Sequence, residues 1–395
     1  EAAAGASVEI VVDETPFYAE SGGQVGDRGA MESDGAFAEI SDTQRPSGAL
    51  VVHAGRVARG TLRVGDAVRL AVDAEARAAT VRNHSGTHLL HAALRQVLGP
   101  QAMQKGSLVA PDRLRFDFTH DAPLSDEQIE RIEDLVNSWI EANDSGRTRQ
   151  MAYKDALTAG AMALFGEKYG DEVRVVSFGG VSTELCGGTH AKATGDIGLL
   201  KVLGESGIAS GVRRIEALTG LGALAHMRAQ EKKLRRVSEL LKVPAEQAGE
   251  RIEKLLDERK AAEKQIAELK RASVSGGSGE PARPRDVNGV SVMVTRVEGF
   301  DASDLRGLVD DRKALIKSGV VLVASADGGK VTLALGVTPD LKDRFKAGDL
   351  VREISAVVGG KGGGRPDFAQ GGGPDAGKLD AAIERLYALI GGAAA

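Results

Sequence analysis

Arg82-Asn-His-Ser-Gly-Thr-His88 places two histidines four residues apart in a stretch of helical periodicity. Apolar residues recur at helical spacing from Val81 to Val97 and Gly99-Pro100 ends the pattern, which predicts a helix over residues 80–98. Positions i and i+4 of a helix lie on one face, so both imidazoles can point at one metal ion. Taken alone, this spacing also suits two surface or capping histidines.

The only cysteine of the chain lies in a second motif, Cys186-Gly-Gly-Thr-His190, directly after a predicted strand. It offers a thiolate and a third imidazole, and sulfur combined with imidazoles favours Zn²⁺ over Mg²⁺ or Ca²⁺. The alternative is a buried structural thiol. We predict a zinc site with His84, His88 and Cys186 as ligands, which His190 either completes or supports from outside the coordination sphere.

The composition of the chain excludes several classes of protein. The chain has 395 residues, is 42% hydrophobic and 27% charged, and is long enough for two or three domains. One cysteine excludes an intrachain disulfide framework and a CxxC zinc knuckle. The chain has no apolar run of membrane-spanning length and no signal sequence, so we expect a cytoplasmic protein without membrane contact. Because it begins with Glu1 rather than Met, we expect a fragment of a longer protein.

The rest of the chain predicts a multidomain α+β protein. Short β-branched runs separated by glycine and aspartate turns predict a small antiparallel β-barrel over residues 1–75. Residues 76–220 are expected to form an α+β domain that includes the metal site. Within it, Ser125 and Gln128 form a capping box, which predicts a helix start, and strands are predicted over residues 173–178 and 181–185.

The second half begins with a charged helical segment. Residues 221–272 predict a helical hairpin or coiled coil with a bend near Val243, because apolar positions repeat at alternating steps of three and four. A Ser/Gly/Pro-rich linker is predicted over residues 273–284. Residues 285–395 predict an α/β domain with a glycine-rich loop at residues 359–373. The elements expected in this domain are strands over 290–297, 320–324 and 331–335, and helices over 302–317, 342–358 and 376–389.

Several motifs together resemble the alanyl-tRNA synthetases. Those similar to the family's editing domain are His84-Ser-Gly-Thr-His88, Met103-Gln-Lys-Gly-Ser107, Phe116-Asp-Phe118 and Cys186-Gly-Gly-Thr-His190. Residues 13–27 (DETPFYAESGGQVGD) resemble the barrel that precedes that domain. Residues 359–373 (GGKGGGRPDFAQGGG) resemble the family's terminal domain, a module also attached to some phosphoesterases of the Asp-His-His class. The family's ATP-using domain would precede Glu1.

The resemblance implies a function. It implies zinc-dependent hydrolysis of the ester that links a wrong amino acid, serine or glycine, to alanine tRNA. It also implies that Thr87 and Gln104 line the amino-acid pocket and that Arg213 contacts the tRNA acceptor end. The terminal domain of the family contacts tRNA and can mediate dimerisation, so Lys361 and Arg365 are expected on tRNA, and a homodimer through the helical or C-terminal region is expected.

Two other functions remain open at this point. One is a noncatalytic tRNA-binding module whose zinc only stabilises the fold, and the other is a free-standing deacylase that acts in trans. The number of zinc ligands separates catalysis from the first alternative, because a catalytic zinc keeps a coordination position open.

Overall fold

A computed structural model of the chain describes residues 1–163, 169–276, 283–300 and 302–392. The chain divides into two units, residues 1–240 and 241–395. Both contain helices and sheets, which confirms the predicted multidomain α+β class. In these described ranges no helix is both long and apolar enough to cross a membrane.

The first unit begins with a five-stranded antiparallel sheet, in the region where the short β-branched runs predict antiparallel strands. Its strand order is β2-β5-β4-β3-β7, and β1 and β6 form a separate pair. The bounds are β1 (Ala2–Ala3), β2 (Ser7–Ile10), β3 (Gly29–Ser33), β4 (Ala36–Ser47), β5 (Leu50–Arg59), β6 (Thr61–Leu62) and β7 (Arg69–Val72). Phe17, Met31 and Val57 are buried in its core, so one face of the sheet is apolar.

Helix α1 (Ala74–Leu98) carries the first histidine pair. It starts six residues before the predicted helix, because Asp73 caps it: the Asp73 carboxylate accepts a hydrogen bond from the Ala76 N–H at 3.0 Å. Apolar periodicity alone does not reveal that polar first turn. The middle of the helix is buried on nearly all sides, which places the histidines in the interior.

Two further sheets and a second helix surround α1. The sheet orders are β13-β14-β9-β8 and β10-β11-β12. The elements are β8 (Gln104–Val109), β9 (Leu114–Thr119), α2 (Asp126–Ala142), β10 (Gly146–Ala152), α3 (Tyr153–Thr158), β11 (Glu172–Phe178), β12 (Ser182–Leu185), β13 (Leu200–Ala209), β14 (Val212–Thr219) and α4 (Gly220–Leu241). The capping box at Ser125 and Gln128 is confirmed, with hydrogen bonds of 3.3 and 2.9 Å.

The second unit is a helix followed by an α/β domain. Its six-stranded sheet has the order β15-β16-β17-β18-β20-β19, in which β16 and β17 are parallel and the other neighbours antiparallel. The elements are α5 (Ala248–Gly276), β15 (Arg285–Val287), β16 (Val290–Val297), α6 (Ala302–Leu315), β17 (Gly319–Asp327), β18 (Lys330–Val337), α7 (Ala347–Val357), β19 (Lys361–Gly364), β20 (Phe368–Gly373) and α8 (Leu379–Gly392).

The second half of the chain has the predicted helix break and differs from two other predictions. The helix break near Val243 is confirmed, because α4 ends at Leu241 and Lys242 has a left-handed φ of 55°. The linker prediction was wrong over residues 273–276, where α5 continues, and residues 277–282 lie outside the described residues. The glycine-rich loop is instead a β-hairpin, β19 paired with β20.

Candidate metal centre

Four side chains from two segments meet inside the first unit. His84 and His88 come from α1, and Cys186 and His190 come from the loop after β12, with their ligand atoms all within 4.8 Å of one another. Cys186 Sγ lies 3.4 Å from His84 Nε2 and 3.2 Å from His190 Nε2. A tetrahedral zinc ion holds nitrogen and sulfur ligands about 3.5 Å apart. The donor set therefore fits zinc, and the assignment of each ligand stays a prediction.

The histidines are held in the neutral form that binds metal. His84 and His88 are buried, with 5% and 4% exposure. Burial lowers the pKa of His84 to about 3, and the neighbouring His88 contributes to the decrease. Burial likewise lowers the pKa of His88 and of His190. A metal ligand must be deprotonated at its donor atom, so these imidazoles are prepared for a cation.

The loop of Cys186 is fixed by hydrogen bonds. Arg174 on β11 donates from Nη1 to the backbone carbonyls of Cys186 and Gly188, at 2.7 and 2.8 Å. The Gly188 N–H donates to Cys186 Sγ at 3.4 Å. A Cβ on Gly188 would overlap the His84 ring. Only glycine lets the loop lie this close to α1.

Each clustered imidazole has a polar side chain on its outer edge. The nearest contacts are Gln24 Oε1 at 2.7 Å from His84 Nδ1, Glu184 Oε2 at 3.8 Å from His88 Nε2, and Ser85 Oγ at 3.2 Å from His190 Nδ1. Such outer partners orient metal-binding histidines and adjust their basicity. Sequence reasoning missed all three, although a charged residue in the buried strand β12 was a usable signal for Glu184.

A cleft of about 500 Å³ opens beside the cluster. Thr87 and Gln104, the two predicted pocket residues, both line it, and so does Ser107. Thr87 Oγ1 donates to the Asn83 carbonyl at 2.8 Å, and Gln104 Nε2 donates to Ser107 Oγ at 3.1 Å. The structure therefore brings these polar groups next to the metal ligands, while their part in recognition stays a prediction.

The predicted tRNA contacts lie in different surroundings. Arg213 on β14 forms two hydrogen bonds with Glu205, one of them 2.7 Å long, and its side chain is 16% exposed. A phosphate would have to compete with that carboxylate. Lys361 is exposed at the start of β19. Arg365 lies in the hairpin turn, 70% exposed and 3.7 Å from Asp367.

Models of known protein families match three parts of the chain. Residues 1–76 match the class II (A) tRNA synthetases. Residues 173–216, which include Cys186 and His190, match the second additional domain of threonyl and alanyl tRNA synthetases. Residues 289–392 match the DHHA1 domain.

Individual relatives extend these matches over nearly the whole chain. The alanine–tRNA ligase of Rhodopseudomonas palustris is 50% identical over 98% of this chain and 46% of its own length. That of Chelativorans sp. is 49% identical over 99% of this chain and 46% of its own length. The crystal structure of the C-Ala domain from Aquifex aeolicus alanyl-tRNA synthetase is 31% identical, with 28% of this chain and 98% of that one covered and a TM-score of 0.27. The chain spans less than half the length of these ligases.

Proposed function

The chain belongs to the alanyl-tRNA synthetase family, and from that premise we propose that its first unit is a zinc-dependent editing hydrolase. The substrate is alanine tRNA mischarged with serine or glycine, and the reaction cleaves the ester between the amino acid and the terminal adenosine. One observation carries the proposal: four metal-donor side chains lie within 4.8 Å of one another at the edge of a polar cleft.

His84, His88 and Cys186 hold the zinc ion in this proposal, with His190 beside them. When bound, zinc polarises a carbonyl and lowers the pKa of a coordinated water toward about 7, so the site needs no serine or cysteine nucleophile. The protein contributes neutral imidazoles and a cysteine sulfur that accepts the Gly188 N–H at 3.4 Å. The cleft of about 500 Å³ lies within the volume range of small-molecule sites.

Thr87 supplies a reason to accept serine. Its hydroxyl proton is already donated to the Asn83 carbonyl at 2.8 Å, so its oxygen can only accept a further hydrogen bond. A serine hydroxyl can donate to it, and alanine cannot. A site that hydrogen-bonds a substrate hydroxyl rejects the analogue without one far better than an apolar pocket distinguishes a methylene. This contact selects serine over alanine only, because glycine has no hydroxyl to donate. Gln104 adds a second polar group on the same cleft.

Alanine tRNA is the proposed partner of both units. Arg213 in the first unit and Lys361 and Arg365 in the second are the proposed contacts, because guanidinium and ammonium groups bind phosphates. A homodimer is proposed through the helical region, where α4 and α5 expose apolar side chains such as Leu240 and Leu269.

Two variants test the proposal. Cys186→Ala and His84→Ala should each lower deacylation of Ser-tRNA by at least about tenfold, as expected for a disturbed metal shell, and should lower bound zinc. Affinity for tRNA should stay within a few fold. His226 is a partly exposed histidine on α4. His226→Ala is the matched control, and it should bind zinc and hydrolyse Ser-tRNA as the wild type does.

The result also separates the alternatives. Unchanged hydrolysis by a folded, zinc-depleted Cys186→Ala protein would remove the catalytic role of zinc. A wild-type protein that binds zinc and tRNA but does not hydrolyse Ser-tRNA would instead be a noncatalytic binding module.

A further inference from the structure

Gln24 is a fully buried glutamine that reaches the four donor side chains from the segment between β2 and β3. It has 0% exposure and lies between the turn at Gly22-Gly23 and strand β3. Its Oε1 lies 2.7 Å from His84 Nδ1 and accepts the Thr189 N–H at 2.9 Å. Its Nε2 donates to Thr189 Oγ1 at 2.9 Å. One side chain thus touches both segments that carry the metal donors.

The contact with the Thr189 backbone fixes the orientation of the Gln24 amide. A backbone N–H can only donate, so the Gln24 atom 2.9 Å from it must be the carbonyl oxygen. The usual ambiguity between the oxygen and nitrogen of a glutamine is thereby removed. The atom facing His84 Nδ1 is an acceptor.

The tautomer of His84 follows from that assignment. Because Gln24 Oε1 accepts, His84 Nδ1 must carry the proton and donate. The other nitrogen, Nε2, then has the free lone pair, and it is the one that lies 3.4 Å from Cys186 Sγ. A single hydrogen bond therefore aims the metal-binding nitrogen of His84 into the cluster.

The turn that precedes Gln24 is attached to the strand that lines the cleft. The Val109 N–H donates to the Gly23 carbonyl at 2.7 Å, and the Val25 N–H donates to the Val109 carbonyl at 3.0 Å. A Cβ on Gly23, whose φ is +84°, would lie 2.7 Å from the Ser107 carbonyl oxygen. The backbone on both sides of Gln24 is consequently held against β8.

We propose that Gln24 is a positioning residue of the metal centre, which fixes His84 as an Nε2 ligand and makes the segment between β2 and β3 part of the site. The inference rests on the zinc ion of the proposed function. It predicts that zinc affinity depends on a residue sixty positions before the first ligand, and its test measures metal binding apart from hydrolysis.

Two substitutions, made in the complete chain, separate the effect of the hydrogen-bond acceptor from the effect of side-chain shape. Gln24→Met keeps the length of the side chain and removes the acceptor, whereas Gln24→Glu keeps an acceptor beside His84. Zinc affinity from chelator competition should fall by about tenfold to a hundredfold in Gln24→Met, the range seen for outer partners of metal ligands. Gln24→Glu should remain within about threefold of wild type. Gln44→Met on β4, whose glutamine bonds to Glu20 and Asp42 at 2.7 Å, is the control and should bind zinc normally.

A second readout uses the metal-free protein. Nitrogen-15 NMR should show His84 protonated at Nδ1 in wild type and in Gln24→Glu, and a mixture of tautomers in Gln24→Met. Wild-type zinc affinity in a folded Gln24→Met protein would overturn the proposal. An equal loss of zinc affinity in Gln24→Glu and Gln24→Met would also overturn it, because it would show that Gln24 only fills space. If wild type holds zinc and shows this dependence on Gln24 but fails to hydrolyse Ser-tRNA, the proposed function fails and the positioning role stands.

Discussion

Two glycine-rich segments of this chain look alike in sequence and differ in structure. Residues 186–190 contain two glycines between a cysteine and a histidine, and residues 359–373 contain eight glycines around a lysine and an arginine. In the first, glycine makes room for side chains of a site. In the second, glycine makes room for backbone and helix packing. What lies against the Cα atom, rather than glycine content, decides which role applies.

The first segment shows the contrast at two adjacent positions. A Cβ on Gly188 would overlap His84 and lie 2.8 Å from Gln24 Oε1. A Cβ on Gly187 would meet no heavy atom of the described chain within 4 Å. Neither glycine has a positive φ, so an alanine at either position is limited only by space.

The second segment shows the same contrast inside a hairpin. A Cβ on Gly362 would overlap Val351 of α7 and lie 2.7 Å from Ser355 Oγ, whereas one on Gly363 would meet no described atom within 4 Å. Gly362, not Gly363, therefore lets β19 lie close to α7. The sequence prediction of a loop was wrong, because β19 and β20 pair as a hairpin in which Gly362 permits a close approach to α7.

The largest effect is expected from Gly188→Ala. The added methyl group must displace His84 or Gln24, so we expect zinc affinity to fall by about a hundredfold and hydrolysis of Ser-tRNA with it. Gly187→Ala is the matched control and should keep zinc affinity within about twofold. Chelator competition measures the first quantity and a deacylation assay the second. Equal behaviour of the two variants would show that the loop can move away from α1.

A smaller effect is expected in the second unit from Gly362→Ala. Forcing a methyl group against Val351 and Ser355 should lower the free energy of unfolding of this unit by about 1–3 kcal/mol, the usual cost of overpacking. Gly363→Ala should leave it unchanged or raise it by about 0.5 kcal/mol, because alanine loses less backbone entropy than glycine. Denaturant unfolding monitored in the complete chain compares them. A Gly362→Ala protein as stable as Gly363→Ala would contradict the close packing of the hairpin.

The sequence predicts the local parts of this molecule better than the distant ones. The four donor residues were identified from spacing, since an i, i+4 pair and a CxxxH loop carry their chemistry locally. Gln24 was not identified, because its contact with Thr189 joins positions 165 residues apart. The Glu205 partner of Arg213 is only eight residues away along the chain. It was missed because the contact depends on the register of β13 and β14, where a bulge shifts the pairing. Local patterns do not determine such contacts.

The smallest effects concern the charges of the glycine-rich hairpin. If Lys361 and Arg365 contact RNA phosphates, Lys361→Glu and Arg365→Glu should each weaken tRNA binding by several fold and reduce the salt slope by about one, because each lost contact releases one counterion fewer. Arg365 already has Asp367 at 3.7 Å, so its variant should have the weaker effect. Lys342 is an exposed lysine before α7, and Lys342→Glu is the charge-matched control. Hydrolysis of a minimal acceptor-stem substrate should hardly change, because the ligands of the metal centre belong to the other unit. If both variants bind tRNA with the affinity and salt slope of Lys342→Glu, the hairpin makes no phosphate contact, and its glycines serve packing alone.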